Sequence, residues 1–292
     1  YFHRAITMED FMEELAPKVW PVGKRTSYCY TTHDTNERNC NAKEGNPAGT
    51  FWDTFDVEFD SSEAFGPDLY YNTDEALEWN SKFPSESHPV LAFTSSPSSS
   101  PVREADLPLQ KYVQWSSEFE DQADEYIKEN LTTPFIGIHV MNGIQFEDIC
   151  QYIPTTKRNL LASAQCLGYH NEHGPVTKYL CLPSENSVIG QLKKAVEKYK
   201  AKSVFITTDN DSMIHQFQKA IKKVKFVSKK KEDFLETTYP RLDLAILGRA
   251  DHYIGNCVSL ATAFVVRERR LKNKTVEFWN FTPENHEKRD EL

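Results

Sequence analysis

Phe135-Ile136-Gly137-Ile138-His139-Val140-Met141-Asn142-Gly143 is the stretch that decides the fold. Its first half is a short apolar run rich in β-branched residues. It is entered from Pro134 and left through Asn142-Gly143, a turn signal. That combination predicts a buried strand with an abrupt end. In an open α/β sheet, ligands sit just beyond the carboxyl ends of such strands. Side chains two residues apart share a face, so His139 and Met141 are expected together at that end. An imidazole there is a candidate ligand contact. A core histidine satisfied by a backbone carbonyl is the ordinary alternative.

Downstream the pattern is regular. A helix is predicted over 190–200, a strand over 203–208 ending at Asp209, and a helix over 212–223. A strand over 224–227, a helix over 242–249, a strand over 252–256 and a helix over 259–271 follow. Strands alternating with helices of this length argue for a parallel, doubly wound α/β sheet. The first 131 residues show no such repeat and read as a partial, irregular α/β domain. There a helix is expected over 8–15 behind a capping box at Thr7, ending before Pro17. A strand over 88–93, a Ser/Pro-rich break over 94–101 and an acidic-faced helix over 115–131 complete that half. The expected division is therefore 1–131, 132–271 and a tail over 272–292.

Composition limits the function. The chain carries 34 Lys and Arg against 43 Asp and Glu, a net charge of −9. That argues against broad binding to nucleic acid or anionic membrane. The hydrophobic content of 39% is enough for a sizeable core, and no run is long enough to span a membrane. Cys29, Cys40, Cys150, Cys166, Cys181 and Cys257 form no C-x-x-C pair, so zinc and redox motifs are weak readings. An even count permits three disulfides, and spacing alone leaves their connectivity open.

The final Arg289-Asp290-Glu291-Leu292 is a variant of the retrieval signal of the endoplasmic reticulum, read by a retrieval receptor. The N-x-[ST] sequons at Asn130, Asn210, Asn273 and Asn280 fit a luminal protein. Luminal entry needs a leader, and Tyr1-Phe2-His3-Arg4 opens none, so the signal is expected upstream of this sequence.

Polar residues cluster at three strand ends: His139 with Asn142, then Asp209, then Asn256 with Ser259. Asp243 sits on the element before the last strand. Asn256-Cys257-Val258-Ser259 opens a helix whose free N–H groups suit a phosphate; an ordinary N-cap is the alternative. The basic run over 222–231 reads as a solvated helix end without a function. No dinucleotide fingerprint, Walker A, nucleophile elbow or metal cluster is present.

The chain resembles the protein O-fucosyltransferases. The resemblance is carried by Phe2-His3-Arg4-Ala5-Ile6, Lys43-Glu44-Gly45-Asn46-Pro47, Pro108-Leu109-Gln110-Lys111-Tyr112, Gly137-Ile138-His139, Gln165-Cys166-Leu167-Gly168-Tyr169 and the long run from Leu247-Gly248-Arg249 to Cys257-Val258-Ser259. It implies a GT-B-like fold of two Rossmann-like domains, the N-terminal one incomplete here. It also implies a glycosyltransferase that moves fucose, with inversion, from GDP-fucose to Ser or Thr of EGF-like repeats in Notch-type proteins. No cofactor or metal is implied beyond the donor. GDP contacts are implied at His139, Val140, Met141, Asp243, Leu260 and Ala261. Disulfides Cys29–Cys40, Cys150–Cys181 and Cys166–Cys257 are implied as well.

Departures bear on turnover. The family's strand ends His-Leu-Arg, and this one ends His139-Val140-Met141. A guanidinium makes two charge-assisted bonds to a diphosphate, and a thioether makes neither. An acidic residue and a Trp of the family are replaced by Gln145 and Phe146. Ser followed by Ser or Thr and then Phe becomes Ser259-Leu260-Ala261. The family's Gly-Arg-Phe-Gly-Asn donor loop is expected upstream of Tyr1. Two functions follow: a transferase of impaired activity, or a luminal binding protein or chaperone for EGF repeats that has lost turnover.

Overall fold

The computed structural model describes residues 5–30, 43, 48–65, 76–93, 101–151, 153, 160–229 and 239–282. The chain forms two compact units, one built on Ala5–Asp106 and the other on Leu107–Leu292. The division thus precedes the one expected near Leu131. The reason is the Ser117–Asn130 helix, whose Phe119 and Ala123 are buried in one cluster with Ala245, Ile246 and Leu247.

The first unit holds three parallel strands, β1 (Thr26–Tyr30), β2 (Ser61–Phe65) and β3 (Ala92–Phe93), in the order β2-β1-β3. Ala16, Trp20, Val57 and Ala92 form its core, and Tyr28 packs edge-on to Phe83. The opening helix begins at Met8, with the Thr7 hydroxyl accepting from Asp10 N–H at 3.0 Å. It does not stop before Pro17. A π turn over Phe11–Leu15 leads into a last segment, Ala16–Val19. Pro17 sits in that segment's first turn, where a missing N–H costs little. Among the described residues, the strand expected over 88–93 is confined to Ala92–Phe93, which pair with β1.

The second unit is the doubly wound sheet. Its strands are β4 (Phe135–Val140), β5 (Ser203–Thr208), β6 (Lys225–Ser228), β7 (His252–Gly255) and β8 (Val276–Phe278). All pair in parallel, in the order β6-β5-β4-β7-β8. Phe135, Phe205 and Tyr253 face a cluster built with the Ser117–Asn130, Tyr239–Arg249 and Leu260–Leu271 helices. Ile136, Ile138, Val140, Val204, Ile206 and Ile254 face the other, built with the Glu185–Tyr199 and Ile214–Ala220 helices. A strand covered on both faces must be apolar throughout, which is why 135–140 shows no alternation.

Two helices extend differently from their expected spans. The one expected over 190–200 begins at Glu185, because Ser184 caps it by accepting from Ser187 N–H. The one expected over 212–223 is confined to Ile214–Ala220. Nor is 272–292 wholly a tail: β8 completes the sheet, and Trp279 beyond it is 1% exposed. Three residues are too few for periodicity to reveal such a strand.

Close packing fixes the Tyr239–Arg249 helix over β4. A Cβ on Gly137 would lie 2.9 Å from Leu247 Cδ2 and 3.2 Å from Ala250 Cβ, so a larger residue there would displace Leu247 and shift the helix by a few tenths of an ångström. The helix's carboxyl end is held by Arg269, which is fully buried. Its Nη1 donates to the carbonyls of Leu247, Gly248 and Ala250 at 3.1, 3.2 and 2.7 Å. Its Nε and Nη2 both donate to Thr275. Burial lowers its pKa to about 10, which leaves it charged at neutral pH. These carbonyls are ones a helix cannot satisfy internally. Replacing Arg269→Met therefore strands several buried acceptors. We expect a loss of about 3 kcal/mol or more, read as a lower urea midpoint with an unchanged slope.

Candidate functional site

The chain leaves β4 for β5 and β6 on one side, then returns to β7 on the other. The strand order therefore reverses between β4 and β7, and ligand crevices open at the carboxyl end of such a reversal. Pairing of these two strands runs from Ile136↔His252 to Ile138↔Ile254. Beyond it, the His139 carbonyl accepts from the indole N–H of Trp279 at 2.8 Å. Trp279 in turn donates its backbone N–H to the Gly255 carbonyl at 3.0 Å. Trp279 thus bridges the two strand ends, with its indole on one and its backbone on the other.

His139 lies at this edge, half-buried, in register with Thr207. Its Nδ1 is 2.8 Å from the Thr207 hydroxyl, so its partner is a side chain and not the backbone carbonyl of the ordinary alternative. Burial lowers its pKa to about 4, against the opposing pull of Asp209, and the ring is neutral at pH 7. Met141 lies past the strand and packs against the cluster that holds Phe146 and Cys150. Val140 is 3% exposed and faces the opposite core, so only its backbone is left for a ligand.

Asp209 is occupied structurally. Its carboxylate accepts from the Asn142 and Gly143 N–H groups at 2.8 and 3.1 Å and fixes the turn after β4. Asn142 donates to the Asp211 carbonyl at 2.9 Å, which ties the same turn to the one after β5.

Asp243 stands on the Tyr239–Arg249 helix with Lys229 Nζ 3.6 Å away, and Lys229 also lies over the Tyr126 ring. The basic run expected to be without a role thus supplies the partner of Asp243. The missed signal was a carboxylate on an otherwise buried helix, which requires a counter-charge. Burial raises the Asp243 pKa to about 7, with Lys229 opposing. One of its oxygens is buried without a hydrogen bond.

Register places these groups in one row. His139 pairs with Thr207, and Ile206 pairs with Ser228, so Lys229 follows at the level of Thr207. Phe135, Phe205 and Val227 all pack in one cluster, so by alternation the side chains of 139, 207 and 229 share that face. Two strand spacings, roughly 10 Å, separate β4 from β6.

The turn after β7 closes the row from the other side. Asn256 is fully buried; its Nδ2 donates to the Cys181 carbonyl at 2.9 Å and its Oδ1 accepts from Val258 N–H at 2.9 Å. The Ser259 hydroxyl accepts from Thr262 N–H at 3.1 Å, the N-cap anticipated there. Leu260 is 46% exposed, and Ala261 is half-buried beside it. Disulfides Cys150–Cys181 and Cys166–Cys257, each with Cα atoms 5.8 Å apart, brace this turn. Of the Cys29–Cys40 pair, Cys40 lies outside the described residues. Neither of two cavities includes these groups: one of about 800 Å³ lies between the Glu185–Tyr199 helix and β8, and one of about 690 Å³ lies in the first unit. No cluster of metal ligands occurs among the described residues.

The sequence profile of the family described as GDP-fucose protein O-fucosyltransferase matches residues 1–272. The chain belongs to the GDP-fucose protein O-fucosyltransferase family. It is 39% identical to GDP-fucose protein O-fucosyltransferase 1 of Caenorhabditis elegans over 280 residues, covering 92% of this chain and 70% of that one. It is similar to an apo crystal structure of POFUT1, with a TM-score of 0.81 at 37% identity over 94% of this chain and 80% of that one. It is similar also to a POFUT1 complex with GDP-fucose, with a TM-score of 0.79 at 37% identity and the same shares. Its class is thus GT-B-like α/β with parallel sheets, as expected, and its family is one of glycosyltransferases. No helix among the described residues is long and apolar enough to cross a membrane.

His139 and Asp243, the two shifted groups of the candidate site, act on stability with opposite signs. Asp243 keeps a proton in the folded state that the unfolded chain releases, so its ionisation weakens the fold as pH rises from about 4 to about 7. His139 stays neutral where the unfolded chain takes a proton, so it weakens the fold as pH falls from 6.5 to about 4. Asp243→Asn removes only the first effect. We expect the variant's stability relative to the parent to grow by about 1–3 kcal/mol between pH 4 and 7, measured by urea unfolding across that range.

Proposed function

We propose that this chain binds GDP-fucose at the carboxyl edge between β4 and β7 and transfers fucose to Ser or Thr of EGF-like repeats at a reduced rate. The observation that carries this reading is the row of His139, Thr207 and Lys229 on one face of the sheet's carboxyl edge, with Asp243 beside Lys229 and the Asn256–Ala261 turn following β7 across the reversal of strand order. In it, Asp243 accepts from the guanine edge, and the N–H groups of Leu260 and Ala261 face the diphosphate at a helix amino end. The acceptor hydroxyl displaces GDP with inversion at the anomeric carbon. Charge then develops on the departing diphosphate, and catalysis depends on donors already aimed at it. His139 is neutral at pH 7 and adds no positive charge there. Met141 adds none at any pH.

The lack of an arginine at position 141 supports the second reading, a luminal protein that holds EGF repeats without turning over. A radiolabelled transfer assay on a folded EGF repeat separates the two. We expect transfer above background from the parent and at least tenfold more from Met141→Arg, since one aimed donor is worth roughly two to three orders of magnitude. Absence of transfer in both leaves the binding protein.

We place the protein in the lumen of the endoplasmic reticulum, returned by the receptor that reads Arg289–Leu292, a segment outside the described residues. Of the four sequons, Asn273 best suits a glycan: it is exposed, at a positive-φ turn (φ 51°) after a helix. Asn210 is exposed too, though its amide donates to the Asn142 carbonyl at 3.3 Å. Asn130 gives its amide to the Tyr126 carbonyl at 3.0 Å. Asn280 gives its amide to the Tyr179 carbonyl at 2.8 Å and accepts from the Ser187 hydroxyl. Peptide mapping of the secretory-expressed protein should find glycan at Asn273 and a bare Asn280. Glycan on Asn280 in folded protein would contradict this assignment.

A further inference from the structure

Gln165 is 8% exposed and lies under the turn that leads from β7 into the Leu260–Leu271 helix. Its side-chain amide nitrogen donates to the carbonyls of Cys257 and Ser259 at 2.8 and 3.1 Å and reaches that of Asn256 at 3.4 Å. Its amide oxygen is buried without a hydrogen bond. Burying an unsatisfied acceptor is costly, so the amide nitrogen is what this position is built to supply.

The consequence follows from peptide geometry. In a trans peptide, the N–H of one residue points opposite to the carbonyl of the residue before it. The Ser259 carbonyl accepts both the Gln165 amide at 3.1 Å and the Ala263 N–H at 3.0 Å, so Gln165 reinforces the orientation that turns the Leu260 N–H outward at the head of the helix. Drawing the Cys257 carbonyl inward turns the Val258 N–H the other way, where Asn256 Oδ1 accepts it at 2.9 Å. The disulfide Cys166–Cys257 and the Arg270 bond to the Gln165 carbonyl at 2.9 Å hold Gln165 itself in place.

We propose that Gln165 is a positioning residue for diphosphate binding: it aims the Leu260 N–H at the phosphate without touching the ligand. This rests on the reading of the turn as the diphosphate cradle. Because both side chains that follow Ser259 are apolar, the backbone N–H is the group left to recognise phosphate, and its direction is decisive.

Calorimetry with GDP and with guanosine tests this on the parent and on Gln165→Met, an apolar side chain of similar length. We expect Gln165→Met to weaken GDP about ten- to hundredfold while guanosine affinity stays within twofold, because charge-assisted bonds to phosphate are lost and guanine contacts are not. Equal weakening of both ligands, or of neither, overturns the proposal. A parent that fails to bind GDP overturns the reading of the cradle itself. Should Gln165→Met not fold, hydrogen exchange on the parent decides. Saturating GDP should slow exchange of the Leu260 amide and guanosine should not; no difference between the two would refute the aiming role.

Discussion

A single indole hydrogen bond, from Trp279 to the carbonyl of His139, sits where this unit's order turns over. The two central strands stop pairing one residue earlier, at Ile138 and Ile254. Without a donor there, a carbonyl at a buried strand end would be stranded, at a cost of about 1–3 kcal/mol. Trp279 satisfies it, takes the Gly255 carbonyl through its own backbone, and so holds β4 and β7 apart at a set distance. The position of His139, the exit of Met141 and the start of the turn at Asn256 all inherit that spacing.

Around this edge, buried groups anchor the backbone and leave few charges for chemistry. Asp209 is committed to the turn after β4, Asn256 to the turn after β7, and Arg269 to the end of the Tyr239–Arg249 helix. His139 is neutral, and Asp243 is half-titrated near pH 7 because burial opposes its ionisation. Lys229 is a cation in the same row, and it stands beside Asp243. On the proposed reading, a diphosphate here meets the Leu260 and Ala261 amides and, at position 141, a thioether in place of a guanidinium.

Much of this was legible in the sequence, for physical reasons. The apolar run at 135–140 and the alternation after it gave a parallel α/β unit, because a strand covered on both faces has no other composition open to it. His139 and the turn near Ser259 stand out as polar residues at strand ends against such runs, whereas Asp243, on a helix, is singled out through the family resemblance. What failed was whatever depended on distant pairing. Trp279 fell in an apparent tail, since it follows a three-residue strand and its indole bonds to a residue 140 positions away. Lys229 looked like solvated charge because its partner is on another element. Gln165 was visible only as part of a motif. Its work is done through an amide aimed at three carbonyls more than 90 positions downstream, and no local pattern encodes that. For Val140 the resemblance implied a contact, and alternation turns its side chain into the opposite core and leaves the backbone for a ligand.

The most direct measurement is a crystal structure of this protein soaked with GDP. The account predicts the diphosphate between Met141 and the Leu260–Ala261 amides, with the guanine against Asp243. Density for GDP in the cavity between the Glu185–Tyr199 helix and β8, or a guanine lying away from Asp243, would contradict it.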